Sequence, residues 1–138
     1  MREGWHHNDY LILFDETEVT AASDRYAISL WLPGFTVLGL RSWDHLIVNN
    51  LAGETFSVPT LPADAQYLAP FSLPSTETVL RRDERYEAKI KWYAKPIVFG
   101  GAPDMAENLV WVSHEEHGKL VEWWNEKYRS LKGRSTGA

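Results

Sequence analysis

Between positions 32 and 62 the chain reads LPGFTVLGLRSWDHLIVNNLAGETFSVPTLP, and it switches between short apolar runs and turn residues. Residues 35–38, 46–48 and 55–58 read as three short strands. Pro33-Gly34, Gly39, Asn49-Asn50, Gly53, Pro59 and Pro62 punctuate them, which is the spacing of a meander. Ahead of it, 5–14 opens polar and closes on LILF, a run that suits a buried strand. The stretch 15–23 (DETEVTAAS) predicts one or two helical turns with acids in the first turn, where they oppose the helix dipole. In 26–32, Tyr26, Ile28, Leu30 and Leu32 alternate with Ala27, Ser29 and Trp31, which predicts a half-buried strand ended by Pro33.

After the meander, prolines at 59, 62, 70 and 74 forbid long regular structure. The segment is expected to wrap the sheet edge, with one helical turn at 63–68 and with Tyr67, Leu68, Phe71 and Leu73 seeking burial. From 76 to 93 the period changes: Val79, Tyr86, Ile90 and Tyr93 fall on one helical face, which predicts a helix ended by Pro96. A short strand at 97–99 and a turn at 100–104 follow. Ser113 and Glu116 then form a capping box before a stripe of His117, Leu120, Val121, Trp124, Tyr128 and Leu131, with Gly133 as the stop. On that helix Trp124 belongs to the core, Trp123 lies at its edge, and Asn125 is placed to hydrogen-bond the backbone of another segment. The whole predicts one α+β domain over 1–138: a mostly antiparallel sheet with helices packed on one face and a C-terminal amphipathic helix. Its parts are a sheet-rich 1–75, a helix-rich 76–133 and a frayed tail at 134–138.

Composition narrows the function classes. With no cysteine in 138 residues, disulfide frameworks, thiolate zinc sites and cysteine nucleophiles are excluded. Seven Trp, six Tyr and five Phe exceed what a core of this size needs, so a contact surface can draw on the surplus. No apolar run approaches a membrane span and the first residues lack a signal core, so a cytoplasmic protein without a membrane partner is expected. The net charge of -5 is uneven: residues 1–80 hold three basic against ten acidic residues, and 81–138 eleven against nine. The acidic front half argues against nucleic acid and suits a basic protein partner.

Candidate chemistry is sparse. His114 and His117 lie three apart, which on a helix makes them neighbours, but the zincin motif needs a spacing of four and a third ligand. His6-His7 with Asp9 is a surface pair, and neither cluster is expected to hold a metal. Asp44 beside His45 makes half of an acid–base arrangement, with Ser42 close by but no triad implied. Asp15, Glu16, Glu18 and Asp24 form the densest acidic stretch and lack the ordered spacing of a calcium loop. Gly100-Gly101 is followed by Pro103 and gives no phosphate loop. No cofactor is expected.

The segment from Tyr10 to Phe71 resembles the SUKH superfamily, the group of bacterial immunity proteins that also holds fungal cell-wall-synthesis regulators. The residues that carry the resemblance are LILF, the acidic ETEVTAASDRY, LPG with an apolar strand and Gly39, the NNLAGETF turn, and VPTLP leading to APF. The chain differs in having only about nine residues before the first strand, where the family usually has a helix and an LP-x-x-aromatic segment. It also carries Arg41-Ser42-Trp43-Asp44-His45 where the family commonly has a glycine-rich turn.

The resemblance implies a non-enzymatic protein that binds and neutralises a cognate toxin. The residues expected to touch a basic toxin domain are Asp15, Glu16, Glu18, Asp24, Trp43 and Asp44. The alternatives are a small metal-binding or hydrolase-like protein using His45 with Asp44 or His114 with His117, and a structural or adaptor subunit.

Overall fold

A computed structural model describes residues 1–136, with side chains through Lys132. Strands β1 (Arg2–His6), β2 (Asp9–Leu13), β3 (Thr36–Arg41), β4 (His45–Asn49), β5 (Thr55–Pro59) and β6 (Ala69–Pro70) form one antiparallel sheet in the order of the chain. Helices α1 (Val19–Arg25) and α2 (Ile28–Trp31) connect β2 to β3. Strands β7 (Ile90–Tyr93) and β8 (Leu109–Val112) form a separate two-stranded sheet, and α3 (His114–Thr136) ends the described chain. The fold is α+β, as the pattern predicted.

Alternation divides the large sheet into two faces. Tyr10, Ile12, Val37, Leu40, Leu46, Val48 and Val58 pack with Ala22, Tyr26, Ile28, Trp31 and Leu32 of the first helical region, Ile90 and Trp92 of β7, and Val121 of α3. The helices therefore cover one face. On the other, Leu11 and Ile47 are fully buried beneath Leu80, with Leu13, Leu38 and Phe71 around them.

Leu80 and Phe71 belong to an extended strap. It leaves β6 where the Phe71 amide donates to the Thr55 carbonyl (3.0 Å), and reaches β1 where Trp5 and Arg81 exchange backbone hydrogen bonds of 2.8 and 3.0 Å. The expected helix over 76–93 is thus replaced by the strap, a short 3₁₀ turn at Glu84–Tyr86 and β7. Val79, the anchor of the supposed helical stripe, is 86% exposed. An unpaired sheet edge at β1 and an uncovered apolar face both favour extended chain here, and together they outweigh helix propensity.

The structure departs from the pattern in further places. The stretch 26–32 is a short helix, not a strand: Ile28, Trp31 and Leu32 are buried at helical spacing, while Leu30 is 56% exposed. Ala27, in the left-handed region at φ 51°, separates this turn from α1. Residues 97–99 form a 3₁₀ turn rather than a strand. In the polar segment before LILF lies a whole strand, β1, whose Glu3 is 9% exposed and accepts a 2.6 Å hydrogen bond from the Tyr10 hydroxyl. The acids of 15–23 precede α1 instead of filling its first turn.

Helix α3 begins as predicted, with Glu116 N donating to Ser113 Oγ (3.2 Å) and Ser113 N to Glu116 Oε1 (3.3 Å). It continues through Thr136, so Gly133 does not end it; of the expected frayed tail, 137–138 lie outside the described residues. At Gly118 the helix comes so close to the end of α1 that an added Cβ would lie 2.7 Å from the Arg25 carbonyl oxygen and overlap its side chain. Among the described residues no helix is long and apolar enough to cross a membrane.

Candidate functional site: an aromatic cleft between the two sheets

The turn between β3 and β4 builds the centre of the site. Ser42 and Trp43 both have positive φ, 47° and 65°. For residues with a Cβ this costs on the order of 1–2 kcal/mol each, which is why glycine is the usual occupant of such a turn. The chain keeps the left-handed backbone without glycine and fixes it from several sides. Ser42 N donates to the Tyr10 carbonyl at 2.7 Å, and the Asp44 carbonyl accepts from Thr60 N (3.0 Å) and Thr60 Oγ1 (3.2 Å). The Arg41 guanidinium meets Asp9 at 3.1 Å.

With that backbone, Trp43 turns inward and is only 7% exposed. It stacks on Tyr10 (5.0 Å between ring centres, 15° between planes) and meets Trp5, Tyr86 and Trp111 edge-on at 6.2, 5.0 and 5.5 Å. Trp111 in turn stacks on Tyr86 at 5.3 Å and remains 39% exposed. Aromatic contacts of this kind contribute roughly 0.5–1.5 kcal/mol each beyond area burial, enough to offset the turn's strain.

Beside Trp43, β7 presents Lys91, whose ammonium lies 5.7 Å from the ring centres of both Trp43 and Tyr93. Past β7 the loop folds back and places Pro96, Ile97 and Val98 against Pro59, Thr60 and Leu61 at the end of β5. Between them runs a cleft of about 200 Å³, lined also by Trp43, Asp44, His45, Lys91, Trp92 and Tyr93. Asn108 holds the loop: its Oδ1 accepts from Lys95 N (2.7 Å), and its Nδ2 donates to the carbonyls of Lys95 (2.9 Å) and Ala102 (3.2 Å). At the rim, Ile97 and Val98 are 50% and 48% exposed. The apolar surface continues through Phe99, which meets Trp124 at 4.9 Å, to Trp123, which is 54% exposed.

The predicted contact residues fall into two separate groups. Trp43 and Asp44 line the cleft, and Asp44 is exposed with its carboxylate 2.8 Å from His45 Nδ1. Asp15, Glu16, Glu18 and Asp24 lie around the start and end of α1. Asp15 and Glu18 bond each other reciprocally: Glu18 N donates to Asp15 Oδ1 (3.1 Å) and Asp15 N to Glu18 Oε1 (2.9 Å). The Thr17 hydroxyl, which also bonds Asp15, holds that carboxyl below its usual range. Both carboxylates face the Met1 amino group, Glu18 at 2.7 Å and Asp15 at 3.5 Å. Glu16 and Asp24 are exposed and have no ion-pair partner among the described residues.

The histidines of α3 are structural in setting. His117 is fully buried, bonds the Tyr26 hydroxyl through Nδ1 (2.7 Å) and meets Trp92 edge-on at 5.3 Å. Burial, with His114 and Arg25 nearby, pushes its pKa down to about 3, and burial also lowers that of His114. Among the described residues no three His, Cys, Asp or Glu side chains are grouped to hold a metal ion. Nothing in the sequence marks Lys91, Ile97, Val98 or Asn108 for the site, apart from the apolar Ile-Val pair after Pro96 in a stretch assigned to a strand.

No protein-family model matches the chain, and no curated protein or solved structure matches it either.

Proposed function

We propose that this protein is an immunity-type binding protein that occludes a cognate bacterial toxin, with the cleft and its rim as the main contact face. The observation that carries this reading is the pair Ile97 and Val98, about half exposed on a loop whose ends, Lys95 and Ala102, are both bonded by Asn108. Apolar side chains held rigidly in water favour an interface, because little further ordering is needed when a partner covers them. Trp111 beside Trp43, and Trp123 beyond Phe99, supply the large aromatic surfaces on which binding energy concentrates. The resemblance of 10–71 to the SUKH superfamily supplies the class of partner. Glu16 and Asp24 serve to steer a basic toxin toward the protein at long range.

The test is whether a neighbouring gene encodes a toxin and, if so, co-expression of the two. Growth restored by the wild-type chain and lost with Val98→Glu supports the reading; a verified toxin that kills regardless of the chain removes it. A second reading, a small hydrolase-like enzyme, draws on the 2.8 Å His45–Asp44 pair at the cleft. It requires turnover of a substrate by the purified chain that His45→Ala abolishes, whereas the binding reading requires a stoichiometric complex and no turnover.

A further inference from the structure

The cleft holds a cation with no counter-ion among the described residues. Lys91 has no carboxylate partner among the described residues, and its ammonium rests only on the faces of Trp43 and Tyr93. The indole N–H groups of Trp43 and Trp92, two more residues of the same lining, are buried and lack any acceptor. Unpaired buried donors of this kind are uncommon, and each one calls for an explanation. The acceptors nearby are already engaged: the Asp44 carboxylate faces His45, its side chain is 66% exposed, and the Asp44 carbonyl is taken by Thr60. The remaining walls, Pro59, Leu61, Pro96, Ile97 and Val98, are apolar.

Size and charge narrow what fits such a place. An apolar cavity of about 150 Å³ holds one benzene ring. A cleft of about 200 Å³ therefore has room for one ring and one small polar group. A cationic group is disfavoured because Lys91 already occupies the face of Trp43. A neutral group leaves Lys91 without a counter-ion. A second anionic group meets the carboxylate of Asp44.

We propose that the cleft is a binding site for a monocyclic aryl carboxylate, with the ring against the apolar walls and the carboxylate on Lys91. This site goes beyond toxin binding, and it stands or falls without it. Two sources share the chemistry: a free aryl acid, and an aromatic residue at the free C-terminus of a polypeptide.

The test is a titration of the isotope-labelled full chain, following the indole N–H resonances of Trp43 and Trp92. The probes are phenylacetate, phenylacetamide, and the peptide acetyl-Ala-Ala-Phe with a free carboxyl group. Phenylacetate is expected to shift both resonances saturably with a Kd of about 1 mM or below. Phenylacetamide is expected to bind about tenfold more weakly or worse, and Lys91→Met to lose the difference between the two. Tighter binding of the peptide than of phenylacetate assigns the site to chain termini, and weaker binding assigns it to free acids; either supports the shared chemistry. If Lys91→Met does not fold, the salt dependence of the wild type decides, since only an ion-paired carboxylate weakens as ionic strength rises. No saturable indole shift with phenylacetate overturns the proposal, as does equal affinity for the amide.

Discussion

The side-chain amide of Asn125 on α3 accepts a 2.8 Å hydrogen bond from the backbone N–H of Ala63. The same side chain donates to the carbonyls of Thr60 (2.7 Å) and Val121 (2.8 Å), so one buried residue ties the helix to the segment that floors the cleft. Asn125→Ala leaves Ala63 N and Thr60 O buried without that partner, and is expected to cost about 2–6 kcal/mol, since each orphaned group costs roughly 1–3 kcal/mol. Asn125→Asp is expected to destabilise as well, because a carboxylate cannot donate to the Thr60 carbonyl. Urea denaturation measures both; a midpoint unchanged in either variant contradicts the role given to Asn125.

Gly118 sets two effects against each other. Replacing a mid-helix glycine by alanine normally stabilises by about 1 kcal/mol through helix propensity. Here the new Cβ would lie 2.7 Å from the Arg25 carbonyl oxygen, a backbone atom that moves only if α1 and α3 separate. Overpacking costs about 1–3 kcal/mol, so Gly118→Ala is expected to lower the unfolding free energy despite the better propensity. A raised urea midpoint would show that the helices are not in close contact at this point.

The buried His117 makes stability pH-dependent with a definite sign. Its pKa falls from the ordinary value of 6.5 in the unfolded chain to about 3 in the folded one. The unfolded state therefore takes up the proton first. The contribution is complete above pH 6.5 and is lost as pH falls from 6.5 toward 3. His114, lowered in the same direction by burial, adds to it. Between about pH 6.5 and 5, above the range where carboxylates titrate, the urea midpoint of the wild type is expected to fall steadily, and that of His117→Gln to fall less. Parallel profiles would mean that His117 is not held neutral.

Asn108 is expected to matter for the cleft more than for the fold. It bonds Lys95 at both backbone atoms and Ala102 at its carbonyl, all on the exposed loop that carries Ile97 and Val98. Asn108→Ala should speed amide hydrogen exchange across 95–102 about tenfold or more while leaving β3 and β4 protected. Exchange that stays slow across 95–102 would contradict the clamp.

The meander was legible because its strands are bounded by residues whose backbone preferences are local: Pro33-Gly34, Asn49-Asn50 and Gly53 act without reference to the rest of the fold. The Ser113–Glu116 capping box and the cross-segment role of Asn125 were legible for the same reason or from the helical stripe around them. The 26–32 helix was not, because YAISLWL satisfies both a period of two and the spacing of Ile28, Trp31 and Leu32. The strap over 71–81 was hidden because its conformation is set by β1 and by the sheet face under Leu80, neither of which is near it in sequence. Half of the site was visible in the Arg41–His45 turn. The other half comes from β7, which lay in the region assigned to a helix, and from the loop after it, where 97–99 was read as a strand.

Toxin binding at the cleft face is the proposed function. Its most direct test is the affinity of the purified complex between this chain and any toxin that a neighbouring gene proves to encode, for wild type, Val98→Glu and Glu16→Lys. A charge placed on the half-exposed Val98 is expected to weaken binding about 100-fold or more, because an interface core excludes it. Reversal at Glu16 is expected to cost about tenfold or less, and that loss should vanish at high salt, as a steering charge requires. Full affinity in Val98→Glu together with a large, salt-independent loss in Glu16→Lys would place the contact on the acidic residues around α1 and contradict this account.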